Sequence, residues 1–175
     1  EYYKWKLTAE WFTELAPKLV LMTRSGFGFL GYYSRAKGIS PFERFYLGGA
    51  ALTGFALDGR EIIALRGYDD LSLSPPEGAN IVMKQTLELR YPLSLNPSAT
   101  IFALGFLEAG NTYDGIENFD PFRIYRSTGV GVRIFLPMFG LMGLDYGWRF
   151  DDVPGRPAMP QGQFHFTIGM NLGEL

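Results

Sequence analysis

The sequence predicts an all-β protein, an antiparallel β-barrel that crosses a membrane. Three observations lead to this prediction: apolar and polar side chains alternate along extended segments, no apolar run is as long as a transmembrane helix, and short proline-containing connections alternate with long glycine-rich ones. A spanning helix needs about 18 or more consecutive apolar residues, whereas the longest apolar run, at 99–107, has only the length of a strand. In a transmembrane barrel the apolar row of each strand faces lipid and the polar row faces the lumen.

The alternation is clearest in the last two extended segments. Because successive side chains of a strand point to opposite faces, residues of one parity share a face. In the first of these segments the two parities are Met142, Leu144, Tyr146, Trp148 and Phe150 against Leu141, Gly143, Asp145, Gly147 and Arg149. In the tail they are Phe164, Phe166, Ile168, Met170 and Leu172 against Gln163, His165, Thr167, Gly169 and Asn171.

The same period of two predicts seven strands and two shorter extended pieces. The strands are expected at 2–12, 18–32, 81–91, 100–110, 126–136, 139–150 and 163–172, and the extended pieces at 45–50 and 61–65. The strand at 100–110 is apolar on both faces until Glu108, so its alternation is weaker than that of the others. The connections at 15–17, 91–97 and 137–138 are short and contain proline, whereas those at 34–80, 111–125 and 151–162 are long and charged. Short turns at one rim and long loops at the other are typical of bacterial outer-membrane barrels.

Aromatic side chains near the strand ends fit the girdles that barrels place at the two membrane interfaces. They are Trp11, Tyr91, Tyr146, Trp148 and Phe150. The alternative fold is a soluble β-sandwich, in which the one-sided apolar faces of two sheets would pack on each other. The length and aromatic content of the apolar faces favour the membrane.

Composition narrows the class of protein further. The chain of 175 residues has 16 basic and 18 acidic residues, a net charge of −2 and no dense basic cluster, which argues against nucleic-acid binding. It has no cysteine, so neither disulfides nor thiolate metal sites hold the fold. Residues 1–6 lack the basic-then-apolar layout of a signal peptide, which indicates a mature chain or an excised piece. Closed barrels have at least about eight strands, so the whole range 1–175 is interpreted as the C-terminal part of a larger barrel.

Three sequence motifs follow one another in a definite order. The first is Pro-Phe-Glu-Arg-Phe-Tyr-Leu-Gly-Gly at 41–49, which contains Phe45, Gly48 and Gly49; the second is Leu-Arg-Gly-Tyr at 65–68; the third is the tail at 163–172. Together they resemble the C-terminal barrel half of the BamA-type outer-membrane assembly family, over essentially the whole chain. The resemblance implies a barrel of about sixteen strands whose long extracellular loop, 34–80, folds back into the lumen.

The resemblance also implies a bracing role for the Arg-Gly-Tyr motif. In the family, the arginine of this motif pairs with carboxylates on the inner wall, so by position Arg66 is expected to meet Glu88 and Glu108. A guanidinium can bind two carboxylates at once, which lysine cannot imitate. Gly67 would allow a tight turn and Tyr68 would fill space against the wall. The alternative is an exposed loop arginine with solvated partners, which would contribute little stability.

The function implied by the resemblance is that of an insertase, which folds client β-barrels through a seam between its first and last strands. An edge strand carries N–H and C=O groups that lipid cannot satisfy, so a weakly paired seam can accept a client strand. The implied partners are outer-membrane lipids, client outer-membrane β-barrel proteins and accessory assembly lipoproteins, in the bacterial outer membrane. The seam residues of the closing strand would be Phe164, Phe166, Ile168, Gly169, Met170 and Leu172.

Other functions remain open on the sequence alone. A TamA-like factor and a two-partner secretion transporter belong to the same superfamily, and a passive pore or structural barrel is a further alternative. The chain also departs from the family pattern in two places. Residues 50–64 are inserted between the Gly-Gly pair and the arginine motif, and Leu172 stands where the family usually ends on an aromatic residue.

An enzyme is not expected. Some outer-membrane barrels are lipid hydrolases, but His165 is the only histidine, and no Gly-x-Ser-x-Gly motif or suitably spaced acid accompanies it. The aspartate pairs at 69–70 and 151–152 lack an EF-hand pattern and are interpreted as solvated loop charge. The sequence therefore predicts no catalytic residue, no cofactor and no metal.

Overall fold

The computed structural model describes residues 1–33, 43–49, 61–138, 140–155 and 160–168. Within these ranges the protein is built from strands, apart from one short 3₁₀ helix, Ile116–Asn118, and no helical segment has the length or apolar character needed to cross a membrane. The strands are β1 (Tyr2–Ala16), β2 (Leu19–Tyr32), β3 (Phe45–Leu47), β4 (Glu61–Ile63), β5 (Ile81–Asn96), β6 (Ala99–Tyr113), β7 (Tyr125–Leu136), β8 (Gly140–Arg149) and β9 (Gly162–Ile168).

Seven of these strands form one antiparallel sheet in the order β1-β2-β5-β6-β7-β8-β9. Each strand therefore pairs with the next long strand of the chain, which is the up-and-down connectivity of a barrel wall. Short turns that include 17–18, 97–98 and 137–138 join strands at one rim, and longer connections join them at the other. The predicted fold class, an all-β antiparallel sheet of seven strands forming part of a barrel, is confirmed.

The two faces of the sheet differ as the alternation predicts. Leu144, Phe164 and Phe166 lie on the outer face and are 51, 74 and 46% exposed, whereas Asp145 and His165 on the inner face are 1 and 6% exposed. No second sheet covers the outer apolar rows within the described part of the chain, which excludes the sandwich. In β6 the sequence did not decide which row faces inward, because both rows are apolar. Leu104 and Phe106 are buried on the same face as Glu108, so this row is the inner one.

The strand boundaries are where the sequence prediction was least accurate. Strand β5 was predicted to end at 91 but continues to Asn96, and β6 extends to Tyr113 rather than 110. Proline suggested a connection at 91–97, yet Pro92 lies inside β5, where the pairing register shifts between Pro92 and Ser94. A bulge tolerates a residue that has no N–H to donate, so proline did not end the strand here.

The chain between β2 and β5 forms a short inner ribbon. Strands β3 and β4 run parallel, with Phe45 opposite Glu61 and Leu47 opposite Ile63. The ribbon and the residues after it pack on the inner face of the sheet, in a cluster of buried side chains: Leu30, Phe45, Leu47, Ile63, Leu65, Tyr68, Leu73 and Val82. Burial of this apolar surface holds the segment 61–80 against the wall, where its polar residues can reach the strands.

Candidate functional site on the inner wall

The Arg-Gly-Tyr motif lies directly after β4. Leu65 pairs with Gly49, and the chain then turns at Gly67, whose φ of +90° is in the left-handed region that favours glycine. A Cβ atom at Gly67 would lie 3.2 Å from the Cβ of Ser127 and 3.2 Å from the carbonyl carbon of Trp148. The motif therefore rests against the backbone of β7 and β8, and glycine is required both for the turn and for the close approach.

Arg66 is brought together with both of the carboxylates expected from the family resemblance. Its Nη2 atom donates to Oε1 of Glu88 at 2.7 Å and to Oε1 of Glu108 at 2.8 Å. Its backbone N–H also donates to the second oxygen of Glu108, at 2.8 Å. The guanidinium lies over the ring of Phe106, 3.6 Å from its centre, which adds a cation–π contact. Arg66 thus contacts strands β5 and β6 through main chain and side chain.

The rest of this charge network was not predicted from the sequence. Nη1 of Arg66 lies 3.4 Å from Oδ1 of Asp145 on β8, and Asp145 in turn binds Arg133 on β7 through two hydrogen bonds of 2.8 Å. Lys84 lies 3.2 Å from Glu108, and Arg90 lies 2.6 Å from Glu88. Four cations and three carboxylates therefore alternate across β5, β6, β7 and β8, joined through the one loop arginine. We call these residues the anchor network.

Two glycines make room for the part of the network that lies flat on the wall. Gly131 is the cross-strand partner of Asp145, and Gly143 is the partner of Arg133. A Cβ atom at Gly143 would come within 2.9 Å of Nη1 of Arg133, so a larger residue there would displace the guanidinium. From the sequence, the inward-facing glycines of β7 and β8 were known only to share the polar face. In the structure they leave the space that the Arg133–Asp145 ion pair occupies against the wall.

The anchor network is buried and its charges are compensated. The side chains of Arg66, Glu88, Glu108 and Asp145 are between 0 and 6% exposed. Burial alone would lower the pKa of the Arg66 guanidinium, but Glu108, Glu88 and Asp145 outweigh it and raise the pKa above its ordinary value. Arg66 is therefore a permanent cation, and removing it would leave carboxylates buried without their main partner, which is a costly state.

Tyr68 and Gly67 extend the attachment to other strands. The Tyr68 ring is fully buried and meets the ring of Tyr125 edge-on at 6.0 Å, and its hydroxyl donates to the carbonyl of Arg126 at 2.8 Å. Burial raises the pKa of the Tyr68 hydroxyl to about 12, so this group remains a donor. The N–H of Gly67 donates to Nε2 of His165 on β9 at 2.8 Å. The three residues of the motif therefore contact five consecutive strands.

The first motif, around Phe45, belongs to the inner ribbon. Phe45 is fully buried under β2, where its ring approaches Gly28, and its backbone pairs with Ala79. Gly48 donates to the carbonyl of Ile63 at 3.0 Å, and Gly49 forms the bridge to Leu65. These residues do not contact the anchor network directly, but they fix the path of the chain that leads into it.

A second attachment point, which was not predicted from the sequence, joins the ribbon to β1. Nζ of Lys4 lies 2.7 Å from Glu61 and 3.0 Å from Glu43, and Nζ of Lys6 lies 2.5 Å from Glu61. Lys4 also lies over the ring of Phe45, 4.8 Å from its centre. Lys4 and Lys6 share a parity in β1, which was the available signal. Their partners, Glu43 and Glu61, lie inside the predicted loop 34–80, where sequence gives no register.

Removing the charge of Glu61 tests this second attachment. Glu61→Gln leaves Lys4 and Lys6 without the carboxylate that they share, and such partly exposed pairs contribute about 1 kcal/mol each at most. We expect a fall of a few degrees in the temperature at which the folded band disappears on a semi-native gel, with faster proteolysis of the loop. Glu77→Gln, at an exposed position of the same loop, is the matched control. Equal behaviour of the two variants would contradict a clamping role for Glu61.

Strand β9, which the sequence analysis interpreted as the closing strand, lies at the other edge of the described sheet. Phe164, Phe166 and Ile168 point outward from β9, and Leu144 pairs with Phe166 across the β8–β9 ladder. The remaining predicted seam residues, Gly169, Met170 and Leu172, lie outside the described residues, as do residues 50–60 of the insertion. The aspartate pairs, expected to be solvated loop charge, each have a partner on a strand: Asp151 pairs with Arg126 of β7 at 2.8 Å, and Asp69 accepts a hydrogen bond from Gln163 of β9 at 2.5 Å.

An up-and-down sheet with apolar rows outside, and a loop bound to charged residues inside, defines the wall of a transmembrane barrel of the bacterial outer membrane. The chain belongs to the Omp85 superfamily, because the family model for the Omp85 superfamily domain matches residues 1–171. Among solved structures, the fold is similar to the crystal structure of BamA from Haemophilus ducreyi lacking POTRA domains 1–3, with a TM-score of 0.70 and 18% sequence identity. The match covers 94% of this chain and 34% of that chain, so the chain spans about a third of the matched protein. A comparison with curated proteins finds no match.

Proposed function

We propose that this barrel segment belongs to an outer-membrane assembly factor that inserts client β-barrel proteins. The observation that carries the proposal is the anchor network, in which Arg66 joins the inner loop to Glu88, Glu108 and Asp145 on three strands. In a passive pore, charges on a constriction loop would face the open lumen, whereas this guanidinium is buried against carboxylates of the wall. A wall that must stay intact while one seam opens does need a brace of this kind.

The proposed mechanism uses the exposed edge of β9. In the described sheet β9 is the last strand, and it pairs with β8 from Gly162 to Ile168. The N–H and C=O groups on its other edge need partners, because unpaired backbone groups are costly in lipid. A client strand can supply these partners by β-augmentation, without covalent chemistry. The loop meanwhile holds β5, β6 and β8 in place, so the exchange of partners at β9 does not spread through the wall.

The proposal includes partners and excludes an enzymatic role. The clients are outer-membrane β-barrel proteins, the outer rows of aromatic and aliphatic side chains contact outer-membrane lipids, and accessory assembly lipoproteins act with the complete protein. His165 accepts a hydrogen bond from the Gly67 amide, and among the described residues no serine is hydrogen-bonded to it. The site therefore supports bracing rather than hydrolysis.

Depletion of the complete protein tests the proposed function. We expect the amounts of several unrelated folded outer-membrane barrels to fall severalfold while their synthesis continues, and unfolded precursors to accumulate in the periplasm. The same cells complemented with the complete protein should recover. A passive pore predicts a different result, in which client barrels assemble normally and only the uptake of small solutes declines. Loss of one secreted substrate with normal barrels would instead favour a secretion transporter.

Cysteine crosslinking tests the seam in the same protein. Phe166 faces outward in the middle of β9, so a cysteine there should form crosslinks to a cysteine in the first strand of the complete barrel. During assembly, part of this signal should be replaced by crosslinks to a client strand. If no register gives a crosslink to either strand, the seam mechanism is wrong.

A further inference from the structure

His165 connects the inner loop to the closing strand. Its Nε2 atom accepts a hydrogen bond from the N–H of Gly67 at 2.8 Å, and the imidazole is only 6% exposed. His165 lies opposite Asp145 in the β8–β9 ladder, beside the anchor network. Two residues earlier on the same face of β9, Gln163 donates to Asp69 of the same loop at 2.5 Å. The loop is therefore attached to β9 as well as to the strands that hold Arg66.

We propose that His165 is a positioning residue that ties the closing strand to the loop, and that protonation of its imidazole releases this tie. The proposal rests on the proposed function, because β9 matters as a seam strand only if clients are exchanged there. It assigns to His165 a role in setting how firmly β9 is held, apart from the bracing of the wall by Arg66.

The hydrogen bond itself requires the neutral imidazole. A neutral histidine has one N–H donor and one acceptor nitrogen, and here Nε2 must be the acceptor because the Gly67 backbone can only donate from its nitrogen. The proton of the neutral ring is therefore on Nδ1. Once protonated, both ring nitrogens carry hydrogen, so Nε2–H would face the Gly67 N–H and the bond would be lost.

Geometry leaves the Gly67 amide little freedom to find another acceptor. Gly67 is fixed between Arg66, whose side chain is held by the anchor network, and Tyr68, whose hydroxyl binds the carbonyl of Arg126. Its Cα lies so close to β8 that a Cβ atom on Gly147 would approach it to 3.0 Å. The Gly67 amide thus remains in place when the acceptor is lost. Its buried N–H is then unsatisfied, which disfavours the arrangement in which β9 packs against the loop.

The charged groups around His165 come from three elements. Asp145 faces it from β8, Glu108 from β6, and Asp70 and Arg66 from the loop. Asp145 is already shared by Arg133 and Arg66. Protonation would add a cation to this set while Arg66 keeps Glu88 and Glu108. The change therefore acts on the loop–β9 contact and leaves the attachment of the loop to β5 and β6 in place.

Amide hydrogen exchange of the complete protein in a lipid bilayer measures this contact directly. In His165→Phe, which keeps the ring and removes the acceptor, exchange at Gly67 should accelerate about three- to tenfold at neutral pH, the factor expected for one hydrogen bond. In His165→Gln, whose side-chain oxygen can accept in place of Nε2, exchange should stay close to that of the unchanged protein. The Arg66 amide, bonded to Glu108, is the internal control and should remain protected in both variants.

The pH dependence separates a titrating tie from simple packing. The ratio of Gly67 exchange between the histidine protein and His165→Gln cancels the intrinsic effect of pH on exchange. We expect this ratio to rise about three- to tenfold between pH 7.5 and pH 4.5, since only the histidine form loses its acceptor. Crosslinking of the Phe166 cysteine to the opposite seam strand should fall over the same range in the histidine form and stay constant in the glutamine form.

A constant ratio across this pH range would overturn the proposal, and so would unchanged Gly67 exchange in His165→Phe. If His165→Gln loses protection as fully as His165→Phe, the histidine acts by packing and the tie is also refuted. These outcomes are independent of the proposed function. A pH-dependent tie in a protein whose depletion leaves client barrels intact would refute the insertase and retain the tie. Loss of client barrels on depletion, with no pH dependence of the Gly67 exchange ratio, would retain the insertase and refute the tie.

Discussion

Arg66→Ala is expected to lower the free energy of unfolding of the barrel by about 3–5 kcal/mol, the range for breaking a buried ion pair by removing one partner. The reason is the loss of compensation in the anchor network. Glu88 keeps Arg90 and Glu108 keeps Lys84, but each loses its contact to Nη2 of Arg66, and Glu108 is only 4% exposed. Loss of the folded band at a lower temperature on a semi-native gel measures the effect.

Arg66→Lys and Arg123→Ala are the matched variants for this experiment. Lysine keeps the charge but has one nitrogen, so it cannot bind the two glutamates while a second nitrogen reaches Asp145, and it should recover only part of the stability. Arg123 is exposed in an outer loop, and its replacement should change stability by less than about 0.5 kcal/mol. We also expect Arg66→Ala to reduce the amounts of client barrels severalfold. A heat resistance equal to that of Arg123→Ala would show that Arg66 does not brace the wall.

Gly147→Val is expected to have the second largest effect, through a clash rather than a lost charge. A Cβ atom at this position in β8 would lie 2.7 Å from the nitrogen of Gly67, 3.0 Å from its Cα and 3.1 Å from the carbonyl carbon of Arg66. All three are backbone atoms of a segment held by the anchor network, so they cannot move aside as a flexible side chain would. Overpacking of this kind costs about 1–3 kcal/mol, and the larger valine should reach the upper end.

The control for Gly147→Val is Gly115→Val. Gly115 has an extended backbone, with φ of −177°, and nothing lies within 4 Å of a Cβ atom built there. A valine at Gly115 should therefore leave the melting temperature nearly unchanged. In the double variant Gly147→Val with Arg66→Ala, the two losses should be clearly less than additive, because a loop already released by Arg66→Ala no longer meets the valine. Full additivity would mean that position 147 acts independently of the loop.

The faces of the strands were predictable from sequence because the period of two is local. Leu144 and Asp145 are neighbours in the chain, and their opposite environments follow from the pleat alone. The contact between Arg66 and the two glutamates was accessible only through the family resemblance, since loop position says nothing about which wall residue is met. Strand ends were less predictable, because Pro92 is accommodated by a bulge whose position depends on pairing with β6.

The rest of the site depended on register. Arg133 and Asp145 are twelve residues apart and sit on different strands, and they meet because β7 and β8 pair with Arg133 beside Gly143 and Asp145 beside Gly131. A shift of one residue between the two strands would turn one of these side chains to the lipid face and separate the pair. The attachment of Glu61 to Lys4 and Lys6 likewise required the inner ribbon to fold back onto the first strand of the sheet.

The amino-acid sequence by itself determined that this protein is a β-barrel wall with an apolar outer face, a polar inner face and an arginine-bearing loop, because these properties follow from side-chain alternation and local motifs. The tertiary structure alone decided that Asp145 and Arg133 complete the anchor network, that Lys4 and Lys6 hold the ribbon, and that His165 accepts the Gly67 amide. Those contacts arise from strand register and from the path of a long loop, and both are set by non-local packing.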